Sequence, residues 1–80
     1  MRKEEKKEKR KESFARVDAL VKQKGVNFYA ISRELGFSRA IFSDWKSGKS
    51  MPKTDKLMKI AKLLETTIEY ILEGRNVDDK

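Results

Sequence analysis

The sequence predicts an all-α fold of five short helices, and three observations carry that expectation. Apolar residues recur at spacings of three and four, the signature of a helix with one buried face. Gly25, Gly36, Gly48 and Gly74 each close such a stretch, and the single proline, Pro52, stands between two of them. No apolar–polar alternation lasts the four residues that a half-buried strand needs.

The first helix is expected from about Ser13 to Lys24, with Phe14, Val17, Leu20 and Val21 on one face. Ahead of it, residues 1–12 carry seven basic and four acidic groups and no apolar residue after Met1. That run cannot pack a core. It reads as a charged arm, frayed or extending the first helix through pairs such as Glu5–Lys9. The second helix follows Asn27, a good N-cap, and shows Phe28, Ile31 and Leu35. The third follows Ser38 and shows Phe42 and Trp45. The fourth is expected after Thr54, with Asp55 in its first turn and Leu57, Ile60, Ala61 and Leu64 inward. The fifth is expected near Thr66, with Glu69 three residues on as a capping box and Ile68, Ile71 and Leu72 buried. Residues 13–74 thus form one domain between the arm and a polar tail at 75–80.

Composition narrows the chemistry. The 80 residues contain no cysteine and no histidine, which removes disulfides, thiolate or imidazole metal sites and any nucleophile–histidine pair. Neither a metal nor a cofactor is expected, nor an enzyme, because no paired carboxylates or activated nucleophile can be assembled. No apolar run approaches the roughly 20 residues that span a bilayer. The expected setting is cytoplasmic, away from a membrane, with no small-molecule ligand. Net charge is +7, unevenly placed: residues 37–62 hold seven basic groups against Asp44 and Asp55, whereas 63–73 hold only Glu65, Glu69 and Glu73. A positive middle beside an acidic end points to a polyanionic partner.

Only Gly36-Phe37-Ser38 separates the second helix from the third, so the two must cross steeply, as in a helix-turn-helix. Gly36 supplies the positive φ of the turn, small Ser32 allows close approach, and Phe37, Phe42 and Trp45 anchor the third helix. Its other face carries Arg39, Ala40, Ser43 and Asp44, with Ile41 at the edge. Residues 26–48, from Val26-Asn27-Phe28 to Trp45-Lys46-Ser47-Gly48, resemble the helix-turn-helix of the Cro/repressor (XRE-type) DNA-binding family. The Trp-x-x-Gly spacing and the following Pro52 strengthen the likeness, which covers about residues 14–74.

The resemblance implies a lambda-repressor-like five-helix domain whose third helix enters the major groove. By position, Arg39, Ala40 and Asp44 match base-contacting residues. An arginine can grip guanine O6 and N7, alanine or Ile41 can touch a thymine methyl, and a carboxylate can accept from cytosine N4. Ser43 is a further candidate. Phosphates are expected at the start of the second helix (Asn27, Phe28 backbone, Tyr29), at Ser38, and at Lys46, Lys49, Ser50 and Lys53. Four positions depart from the family pattern: Phe28 stands where glutamine often binds a phosphate, Ser32 where alanine is commonest, Lys46 where an acidic residue is common, and Glu65 where a glycine normally ends the fourth helix.

The expected function is sequence-specific binding of double-stranded DNA by a transcriptional regulator, a repressor, acting as a homodimer on an inverted repeat. The last helix, with Tyr70 and Leu72, is the expected dimer surface. Two rivals stand beside this reading. One is an antitoxin-like or adaptor module that grips a protein partner. The other is a non-specific nucleic-acid binder driven by residues 1–12.

Overall fold

The computed structural model describes residues 3–74; the tail expected at 75–80 lies outside them. Five helices follow in order: α1 (Lys3–Lys24), α2 (Phe28–Leu35), α3 (Arg39–Ser47), α4 (Thr54–Leu63) and α5 (Ile68–Glu73). The described residues contain no strand. α1 packs against α3 and α5, α2 against α3 and α4, and α4 against α5.

The core is where the apolar spacing places it. Phe14, Val17 and Val21 of α1 meet Ile31 of α2, Phe42 and Trp45 of α3, Leu57, Ile60 and Ala61 of α4, Leu64, and Ile71 of α5. Leu20, Phe28, Leu35, Phe37, Met51 and Ile68 pack on its rim, half-buried. Leu72, expected inside, is instead exposed. α5 has only six residues, so its single buried stripe is satisfied by Ile71.

α1 begins at Lys3, so of the two states expected for the charged arm the described part, residues 3–12, extends the first helix. Element ends differ from expectation in two places. α4 starts at Thr54 itself, with Lys53 as N-cap and no side-chain cap bond. α5 starts one residue after Thr67, whose Oγ1 accepts from the Tyr70 N–H at 3.1 Å. The expected capping box from Thr66 to Glu69 therefore does not form, because Thr67 takes the capping position.

Candidate nucleic-acid interface

The helix-turn-helix is built from short-range chemistry. Asn27 Oδ1 accepts from the Ala30 N–H at 2.8 Å and opens α2. Gly36 closes it in the left-handed conformation (φ 73°), with its N–H donated to the Ser32 carbonyl. Ser38 Oγ then accepts from the Ala40 N–H at 3.2 Å and opens α3. Nothing would crowd a side chain at Gly36, so its role is conformational. Ser32 is buried and donates its hydroxyl to the Tyr29 carbonyl at 2.7 Å, which satisfies the polar atom where α2 is enclosed.

An aromatic chain seats α3. The Phe14 ring stacks on Phe28 (centroids 5.1 Å) and meets Trp45 edge-on (5.6 Å). Phe28 continues to Phe42 at 4.9 Å, and Phe42 to Phe37 at 6.2 Å. The Phe28 side chain is thereby committed to packing, which leaves its backbone N–H as the group facing any phosphate. Trp45 is fully buried, and its Nε1 donates to Ser13 Oγ at 2.8 Å. Ser13, also fully buried, donates onward to the Arg10 carbonyl at 2.7 Å. Among the described residues no buried side-chain nitrogen or oxygen is left without a hydrogen-bond partner.

With Phe42 and Trp45 turned in, Arg39, Ala40 and Ser43 are exposed on the opposite side of α3, and Ile41 and Asp44 are half-buried at its edge. Ala40, Ile41 and Asp44 form one wall of a groove of about 490 Å³, closed on the other side by Ser50, Met51, Pro52 and Lys53. Lys46, Lys49, Ser50 and Lys53 are all exposed. Asn27 and Ser38 are exposed at the two helix starts. The structure thus brings Ala40, Ile41, Asp44, Ser50 and Lys53 to one groove and Tyr29 beside Arg39, whereas Lys49 lines a separate cleft with α1.

Tyr29 links the two helices on that side. Its ring lies 5.6 Å from the Arg39 guanidinium carbon and 5.9 Å from that of Arg33. The ring face attracts both cations and biases Arg39 toward one orientation, a contact worth about 0.5–1 kcal/mol where exposed. Arg33 was not singled out from sequence, although its position one turn after Tyr29 on α2 was the available signal. Lys56 meets an aromatic ring as well. It is half-buried, with its ammonium 5.3 Å from the Phe37 ring centroid. Lys59 and Lys62 are exposed.

No group of three or more histidine, cysteine, aspartate or glutamate side chains among the described residues could hold a metal ion. Among the same residues no helix is long and apolar enough to cross a membrane. No curated protein and no solved structure matches the chain. The family model described as a helix-turn-helix domain does, over residues 15–77, a span that includes α2, the Gly36 turn and α3. By that match over most of its length, the chain belongs to the helix-turn-helix domain family, whose members are DNA-binding modules.

Proposed function

We propose that the protein is a Cro/repressor-type transcriptional repressor that reads double-stranded DNA with α3 in the major groove. The observation that carries this reading is the division of α3. Its anchoring face, Phe42 and Trp45, is buried, while Arg39, Ala40 and Ser43 are exposed beside a basic loop. In this reading Arg39 pairs with a guanine, Ala40 and Ile41 meet thymine methyls, and Ser43 and Asp44 contact the next bases. Asn27, the Phe28 backbone, Tyr29 and Ser38 hold one strand, and Lys46, Lys49, Ser50 and Lys53 hold the other. Residues 13–74 are the DNA-binding unit. One copy of α3 covers few bases, so two copies bind an inverted repeat with half-sites one helical turn apart. The α5 end, where Leu72 is exposed and Tyr70 half-exposed, is the surface that joins them.

Selection of tight-binding duplexes from a random library, followed by anisotropy titration against competitor DNA at fixed salt, tests this. Recovery of an inverted repeat bound by two copies is the expected result. Equal affinity for every duplex would sink the regulator reading and leave a non-specific binder.

A further inference from the structure

Three residues of the charged extension of α1, at 3–12, form one wall of a cleft. Lys6, Lys7 and Arg10 face Ser47, Gly48 and Lys49 across about 630 Å³. Four of these six residues are cations, and none is acidic.

Two further observations make this a built feature. First, α1 is held against the end of α3. Arg10 donates through Nη1 to the Gly48 carbonyl at 3.2 Å. A methyl group on Gly48 would come within 2.6 Å of Lys7 Cγ and 3.0 Å of the Lys7 carbonyl oxygen. The cationic wall is therefore fixed by contact with Gly48, and not by charge alone. Second, the extension sorts its charges by face. At 100° per residue, Lys6, Lys7 and Arg10 fall within about 100° of one another. Glu5, Glu8 and Glu12 fall within about 60°, centred on the opposite side of the helix. Lys6, Lys7 and Arg10 line the cleft, while Glu5, Glu8 and Glu12 fall on the opposite face together with Lys9. Lys49 belongs both to this cleft and to the loop proposed to hold phosphates, so the two basic surfaces are continuous.

We propose that this cleft is a second phosphate site, which takes the phosphodiester backbone of the duplex beyond the bases read by α3. The inference rests on the DNA-binding reading above and adds a contact that the helix-turn-helix alone does not supply. The extension acts as a rigid clamp with no sequence preference of its own.

The test is the salt dependence of binding of the full chain to a mixed-sequence duplex of about 20 base pairs, roughly two turns. The variant is Lys6→Gln with Lys7→Gln, in which glutamine keeps the β and γ carbons that pack on Gly48. The control is Lys22→Gln with Lys62→Gln, which removes equal charge elsewhere; Lys22 lies about 22 Å along α1 from Lys7. Thermal melts by circular dichroism verify that both variants are folded. The expected result is that the slope of log affinity against log salt falls by about 1–2 units in the first variant only. An unchanged slope with duplex still bound overturns the cleft and leaves the helix-turn-helix reading standing. Equal losses in variant and control also overturn it, because net charge alone would then be felt. A wild-type chain that binds no duplex overturns the DNA-binding reading and the cleft with it.

Discussion

Ser13 shows how one small side chain can decide the seating of α3. Its hydroxyl accepts from Trp45 Nε1 in the buried interior and donates to the Arg10 carbonyl in a half-buried bond. Replacing it by alanine leaves the indole N–H buried without a partner, and the desolvated donor costs about 1–3 kcal/mol. Urea denaturation of Ser13→Ala should show that loss as a lowered midpoint with an unchanged slope. A midpoint equal to wild type would mean that water replaces the hydroxyl. Nothing in the sequence marks Ser13, because its partner is 32 positions away. Arg39 is the contrary case. The sequence expects it as a base contact, and the structure leaves it exposed beside Tyr29. Arg39→Ala should cost roughly 1–3 kcal/mol on the selected site and relax preference at one base pair. If every duplex weakens alike, Arg39 meets phosphate only.

At the scale of elements, the helix starts and stops were largely legible, because caps are local. Asn27 and Ser38 cap α2 and α3 as their side chains predict, and glycines in left-handed conformation end both. The start of α1 was legible only as one of two alternatives, frayed or helical. A charged run without apolar residues has no periodicity to choose between them, and its contact here is with Gly48, 38 positions beyond Arg10. Gly48 is therefore constrained twice, by φ 83° and by the Lys7 backbone beneath it. Gly25 is constrained once, by φ 74°, with open space around it. Gly25→Ala should cost about 1–2 kcal/mol, the left-handed penalty alone. Gly48→Ala should cost clearly more in the same thermal or urea measurement, since Lys7 must shift as well. Equal costs would show that α1 yields without resistance, and would weaken the argument for a fixed cationic wall.

Across the whole molecule, the far end from the Gly48 contact is tied by Lys24 and Glu65, 2.8 Å apart, which join the end of α1 to the turn between α4 and α5. Glu65 is the one non-glycine among the described residues with positive φ (57°), at the place where a glycine was expected to close the fourth helix. The hydrogen bond from Lys24 Nζ, and then its charge, hold the Glu65 carboxyl below its ordinary value of 4.5. A carboxyl lowered in the folded state stabilises the fold fully above pH 4.5, and that contribution fades as pH falls through the lowered value. Glu65→Gln keeps the backbone strain and removes the charge. Its melting temperature should lie below wild type at neutral pH and converge with it on acidification below that point. A difference that does not change with pH would mean that the pair contributes nothing. Arg16 makes a similar long tie. It donates through Nη1 to the Ile71 carbonyl at 2.9 Å and so satisfies the last turn of α5.

The sequence by itself determined five helices, their order, most of the core and the exposed face of α3. Each of these follows from periodicity and capping within a few residues of chain. Tertiary structure alone decided the rest. It set the length of α1, the burial of Ser13, the stacking of Phe28 between Phe14 and Phe42, the pairing of Tyr29 with two arginines, and the cleft at Gly48. Apart from the pairing of Tyr29 with Arg33, each depends on atoms brought together from different helices. A pattern read along one helix cannot show which distant groups its charged and polar side chains will meet.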